Sequence, residues 1–249
     1  LGTTTADSSG NWSFTVGSSS LLSNGSHAIT AKATDAAGNV SNASSALTIG
    51  IDTSAPSAPS TPDLSSTSDS GTSNTDNLTI DTTPTFTGTA EVDSDVYLFA
   101  GEKSLGVTAT DSSGNWSLTV DSSDALTNGS HAITAKAVDA AGNVSNASSA
   151  LSITIDVSAP AAPSIPDLSA SSDTGQSNTD NTTSDRTPTF TGTAEASGTV
   201  QLFAGSSSLG TTSVDSSGNW SFTVDSSDEF SDGSYAVKTK ATDAAGNES

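Results

Sequence analysis

Apolar and polar residues alternate along the chain in short runs, and each run is broken by Gly, Asn, Asp or Ser. In Asn115-Trp116-Ser117-Leu118-Thr119-Val120, residues Trp116, Leu118 and Val120 share one face. A period of two marks a strand with one buried side. The same pattern predicts strands at Thr85–Thr89, Val96–Ala100, Leu105–Thr110, His131–Val138 and Ala150–Ile155. Pro59–Leu64 fits an edge strand, where proline is tolerated. No stretch keeps a 3.6-residue apolar period for three turns, so no helix is expected. Seven short strands in about 100 residues predict an all-β, immunoglobulin-like sandwich. Phe86, Leu98, Leu105, Trp116, Leu118, Ile133, Ile153 and Ile155 are its expected core.

The pattern repeats. Asp7-Ser8-Ser9-Gly10-Asn11-Trp12 returns at Asp111–Trp116 and at Asp215–Trp220, a spacing of 104 residues each time. Asp35-Ala36-Ala37-Gly38-Asn39 returns at Asp139 and Asp243. Thr85–Glu91 returns as Thr189–Glu195, and Ser54-Ala55-Pro56 as Ser158-Ala159-Pro160. A period of this length suits one folding domain rather than one turn of a solenoid. The chain therefore reads as a linear array: residues 1–52 as the C-terminal half of a repeat, 53–156 as a complete repeat, and 157–249 as a repeat lacking its last strand. Pro-containing segments Ser54–Pro62 and Ser158–Pro166 are the expected joints. Both ends fall inside a repeat, so the expectation is a window on a longer array.

Composition first argues against this picture. The formal net charge is −22, from 28 carboxylates against six cations, and only 32% of the 249 residues are hydrophobic. Low hydrophobicity with high net charge is a signature of disorder. The strict repeat and the strand periodicity override it. Six scattered cations make no phosphate-binding patch, so nucleic acid is excluded as a partner. No apolar run approaches the ~20 residues needed to span a bilayer as a helix, and membrane insertion is not expected. With no Cys, disulfides and thiolate metal sites are excluded. Leu1–Thr5 lack the basic start and apolar stretch of a signal peptide.

The carboxylates recur with the repeat. In an Ig-like sandwich, Asp52 in the linker, Glu91 after the second strand and Asp139 in the Asp-Ala-Ala-Gly-Asn loop are expected at one pole, with Asp93 and Asp95 close by. Their counterparts are Asp156, Glu195 and Asp243, and Asp35 represents the set in the first repeat. Converging carboxylates repel unless a cation neutralises them. Hard oxygen ligands without His or Cys select Ca²⁺. The competing reading is that these Asp residues only organise turns. Glu91 and Glu195 argue against it, because Glu is a poor turn former. A second cluster fills the long loop after the first strand: Asp69, Asn74, Asp76 and Asp81, repeated as Asp173, Asn178, Asp180 and Asp185. It resembles a calcium loop in residue type but not in EF-hand spacing, and a solvated polar loop is the competing reading. This loop is expected at the opposite pole, facing the next repeat.

Other candidates carry less. His27 and His131 occupy a position that is Tyr235 in the third repeat, which argues against a metal or catalytic role. No Ser/His/Asp set is common to the repeats, and catalysis is not expected. Trp12, Trp116 and Trp220 read as core or half-buried sheet residues rather than sugar platforms.

Ile155–Pro160, Thr187–Glu195, Asp215–Trp220 and Ala241–Asn247 resemble the bacterial Ig-like repeats of giant surface adhesins. These are the biofilm-associated and RTX-type proteins exported by type I secretion. The resemblance spans the chain. It implies tandem Ig-like domains at the bacterial cell surface, calcium at or near the junctions, and an extender role between a cell anchor and a distal adhesive tip. The tip, outside these residues, would meet a host or sister cell, and the immediate partners would be neighbouring repeats. Two other roles fit the composition less well: repeats that bind glycan or sister chains themselves, or accessory repeats of a secreted polysaccharide-degrading enzyme.

Overall fold

The computed structural model describes all of residues 1–249. It is built of strands and three single-turn 3₁₀ segments, with no α-helix. Residues 53–156 form eight strands: β3 (Asp63–Leu64), β4 (Leu78–Thr79), β5 (Thr85–Thr89), β6 (Asp95–Ala100), β7 (Lys103–Ala109), β8 (Asn115–Thr119), β9 (Gly129–Val138) and β10 (Leu151–Ile155). They follow β1 (Gly25–Ile29) and β2 (Leu47–Ile51) of the first repeat. One sheet has the order β3-β5-β8 and the other β4-β10-β9-β6-β7. All pairings are antiparallel except β10 with β4, which is parallel.

The two sheets close over one core. Thirteen buried residues form it, among them all eight expected from the alternation, joined by Leu64, Val96, Val120, Leu126 and Ala135. Phe86, Leu98, Ile133 and Ile155 are fully excluded from water. Trp116 lies opposite Gly88 in the β5–β8 register, and its ring occupies the space that a Cβ at position 88 would need.

The third repeat follows the same plan with β11 (Asp167–Leu168), β12 (Thr189–Thr193), β13 (Thr199–Ala204), β14 (Ser207–Ser213), β15 (Asn219–Thr223) and β16 (Val237–Thr242). Its sheets are β11-β12-β15 and β14-β13-β16. Its core has eight buried residues, including Phe190, Leu202 and Trp220. β9 begins at Gly129, whereas β16 begins only at Val237, past the counterpart position Gly233. The reason is pairing: β10 holds residues 129–133 of β9, and residues 157–249 contain no equivalent of β10.

In the first repeat, β1 and β2 pair only with each other. Trp12 is 59% exposed, against 3% for Trp116 and Trp220. The expectation that all three tryptophans are core or half-buried is corrected for Trp12, which is exposed. The partner over which Trp116 packs belongs to β5, and residues 1–52 contain no counterpart of β5.

Two further differences concern elements. The short β4 was not expected; two residues cannot show periodicity, and this pair is held by parallel pairing to β10. Pro59–Leu64 contributes only Asp63–Leu64 as strand. Pro56, Pro59 and Pro62 are nevertheless buried, so the linker packs against the repeat it enters.

Candidate functional site

Each Asp-Ala-Ala-Gly-Asn loop closes on itself. Asp139 Oδ1 accepts from the backbone N–H of Ala141 (2.9 Å) and of Asn143 (2.8 Å), and Oδ2 accepts from Asn143 Nδ2 (2.9 Å). The loop base is pinned by a bridge between Val138 and Val144. Asp35 makes the same bonds to Ala37 and Asn39. Asp243 bonds Gly246, the Asn247 amide N–H and Asn247 Nδ2. The Asn143 side chain, with the turn N–H groups, holds the Asp139 carboxyl below its ordinary pKa. These carboxylates organise turns whatever else they do.

The same Asn residues tie the loop to the incoming linker. Asn143 Nδ2 donates to the Asp52 carbonyl at 3.2 Å, and Asn247 Nδ2 to the Asp156 carbonyl at 2.9 Å. The linker is also held from behind. Thr53 N–H donates to Asn24 Oδ1 and Val157 N–H to Asn128 Oδ1. Each joint is therefore bonded to the repeat before it and the repeat after it. Asp52 and Asp156 turn their own carboxylates onto Ser54 N–H and Ser158 N–H, both at 3.0 Å. The carbonyl of Glu91 accepts from Ser94 Oγ and Thr110 Oγ1, while its side chain is exposed. Glu195 is exposed as well, and its carbonyl accepts from Gly198 N–H. The backbone thus brings Asp52 to the Asp139 loop and Asp156 to the Asp243 loop. No three His, Asp or Glu side chains are gathered closely enough to hold a metal ion.

The long loop differs. Asp69 is 5% exposed and Asp173 4%. In each, Oδ2 accepts from a backbone N–H at 3.1 Å, of Asn77 and Asn181 respectively. In each, Oδ1 is buried with no partner. Burial pushes the Asp69 carboxyl above its ordinary pKa against the Asn77 bond, and the neighbouring Asp76 charge acts in the same sense as burial. An oxygen buried without a hydrogen-bond donor is costly unless a cation or an ordered water meets it. Around it the loop offers only oxygen donors, which fits Ca²⁺ in kind; with no third carboxylate, carbonyls and waters would complete the shell. The other expected residues are occupied locally or free. Asp76 Oδ1 accepts from Leu78 N–H, and Asp81 Oδ1 from Thr83 N–H. Asp180 and Asp185 repeat these bonds to Thr182 and Thr187. Asn74 and its counterpart Asn178 are exposed.

The long loop also reaches the next repeat. Ser70 Oγ accepts from Ile80 N–H (2.9 Å) and donates to the Ala245 carbonyl (2.8 Å); Thr72 N–H donates to the Ala244 carbonyl (3.1 Å). This contact could not be read from sequence, because it joins residues about 175 apart.

Charge balance leaves room for cations. Three ion pairs, Lys103–Asp124, Arg186–Glu229 and Lys240–Glu248, involve three of the 28 carboxylates. His131 Nε2 lies 2.7 Å from the Thr127 carbonyl and His27 Nε2 2.7 Å from that of Ser23. Tyr235 OH donates to the Ser231 carbonyl in the same place. That shared bond explains why Tyr substitutes for His. The buried rings of Trp116 and Trp220 offer no face to a sugar.

No curated protein matches the chain. Among solved structures, it is similar to a Ca²⁺-stabilized adhesin that helps an Antarctic bacterium reach out and bind ice: 26% identity over 99% of this chain and 59% of that one, with a TM-score of 0.44. This chain thus spans about three-fifths of that structure's length. It is also similar to a 1.5-MDa bacterial ice-binding adhesin, at 24% identity over 98% and 78% of the two chains and a TM-score of 0.38. A tetra-tandem repeat from the extending region of a large adhesion protein matches at 22% identity over 98% and 62%, with a TM-score of 0.30. The family model described as the bacterial Ig-like domain matches three times, over residues 1–53, 55–157 and 159–249, and the chain belongs to that family.

Proposed function

We propose that the chain is a spacer segment of a large bacterial surface adhesin, and that Ca²⁺ stiffens its joints. Such a segment is extracellular and stands between a cell anchor and a distal adhesive tip, in support of adhesion and biofilm formation. Its partners are the repeats on either side. The role is mechanical and asks no catalysis of the chain. No helix here is long and apolar enough to cross a membrane.

One observation carries the reading: the loop that buries the unpartnered Asp69 oxygen is also the loop that grips the next repeat. A cation that ordered this loop would order the joint. Asp69 and Asp173 would supply carboxylate ligands, with Asp76 and Asp180 further along the same loops to complete the charge. The linker pole, where Asp52 meets the Asp139 loop and Asp156 the Asp243 loop, is the second place for an ion, with Glu91, Glu195 and Asp35 as expected contributors. Extracellular modules bind Ca²⁺ with Kd of about 10⁻⁴–10⁻³ M. At ten times Kd each site adds roughly 1.4 kcal/mol to stability. For a domain of this size that is about 5–10 °C in Tm.

Thermal melting in millimolar Ca²⁺, in Mg²⁺ and in EDTA tests this. The expected result is a clear fall in Tm in EDTA that Mg²⁺ does not restore. Equal melting in all three would overturn the calcium reading.

A further inference from the structure

The joint between the second and third repeats contains a contact that needs neither a side chain nor an ion. Gly71 has φ of +95°, and a Cβ placed on it would lie 2.0 Å from the Ala244 carbonyl oxygen and 2.8 Å from the Ala245 carbonyl carbon. Both are backbone atoms, which cannot swing aside. Gly246 faces it: a Cβ placed on Gly246 would lie 3.3 Å from Gly71 Cα and 3.4 Å from Gly71 N. Ser70 and Thr72 bond the Ala245 and Ala244 carbonyls from either side of this approach. The effect on burial is specific. Ala245 is 1% exposed and Asp243 4%, while their counterparts Ala141, Ala37 and Asp35 are exposed and Asp139 is only half-buried.

The third repeat has the same loop with no partner. Gly175 has φ of +109° and no atom within 4 Å of its Cβ position. Thr174 Oγ1 accepts from Ser184 N–H at 2.8 Å, as Ser70 Oγ accepts from Ile80 N–H. The loop therefore holds its gripping shape before anything is gripped.

We infer that this Ser/Thr-Gly loop is a latch for the Asp-Ala-Ala-Gly-Asn loop of a following repeat, and that backbone contact at its glycine fixes the angle between repeats. The inference rests on the spacer reading and adds a device to it. Gly71 engages Ala244–Gly246, and Thr174–Gly175 is the docking surface for the same loop of a further repeat. The physical case is that glycine admits close backbone approach that any other residue forbids. Two hydrogen bonds then hold it, each worth a factor of about 2–12 in an equilibrium.

The chain has no Cys, so two introduced thiols can be labelled cleanly. Ser112→Cys and Ser216→Cys place spin labels on exposed turns of the second and third repeats. Pulsed dipolar spectroscopy then reads the distribution of distances between repeats. Four variants are compared in one Ca²⁺-containing buffer: Gly71→Val with Gly175→Val, and Ala245→Glu with Ala141→Glu. Within each pair the two positions are equivalent in their repeats, but only the first member touches the neighbouring repeat. The parent, Gly175→Val and Ala141→Glu are expected to show one narrow distance, and Gly71→Val and Ala245→Glu to lose it. Intact melting of each repeat separates loss of the joint from loss of the fold. A broad parent, a narrow distribution in Gly71→Val or Ala245→Glu, or broadening in the control members would overturn the latch. An EDTA series on the parent reports on calcium separately. The latch fails if the variants match their controls even where EDTA loosens the joint, and calcium fails if EDTA does nothing even where Gly71→Val loosens it.

Discussion

Asp69 and Asp139 are both acidic loop residues, yet their surroundings act in opposite directions. Asp139 accepts three hydrogen bonds and is held ionised. Asp69 is buried, and one of its oxygens has no donor. The pH consequences follow from the signs. Asp7, Asp35, Asp111, Asp121, Asp139, Asp215 and Asp225 have lowered folded pKa values. Their contribution is present above the unfolded value, near 3.8, and is lost as pH falls through the lower folded values. Asp69 works the other way: its contribution is present below 3.8 and is lost as pH rises through its raised folded value. Acid titration in EDTA should therefore lower Tm only below about pH 4, and Asp139→Ala should shrink that acid-dependent loss. A Tm in Asp139→Ala with the parent's full acid dependence would contradict this. Asp69→Asn removes a buried charge while keeping its shape. In EDTA at neutral pH it should melt at or above the parent, and it should gain less from Ca²⁺. Retention of the full calcium gain would remove Asp69 from the ion site. The candidate residue types were legible in the sequence, but not their division of labour. Burial of one carboxylate oxygen depends on packing between segments that spacing does not describe.

At the scale of elements, alternation located the strands because each sheet has one wet face and one dry face. Six of the predicted strands in residues 53–156 lie within a few residues of those observed, and the eight expected core residues all pack into one cluster. What alternation missed was β4, whose two residues are strand only because β10 lies beside them. It also misread Trp12, which has the core motif but no β5 to cover it. The contrast is measurable. Trp116→Ala should cost about 3–5 kcal/mol, as for a buried aromatic residue. Trp12→Ala, at a largely exposed position, should stay within about 0.5 kcal/mol. Denaturant unfolding of the two variants checks this; equal costs would mean that the first repeat is packed as tightly as the second.

For the molecule as a whole, a net charge of −22 and a thin core first resemble disorder. The 104-residue register shows instead that the charge is distributed in equivalent loops. The joints are bonded on both sides, through Asn24 and Asn143 at one and Asn128 and Asn247 at the other. Such joints have a preferred geometry, and cations at the long loops would relieve the repulsion that opposes it. Small-angle X-ray scattering of the intact chain, at constant ionic strength with Ca²⁺ and then with EDTA, tests this most directly. The account predicts a single extended profile in Ca²⁺ and a shorter or broadened distribution of interatomic distances in EDTA, reversed when Ca²⁺ is restored. Superimposable profiles in the two buffers would contradict it.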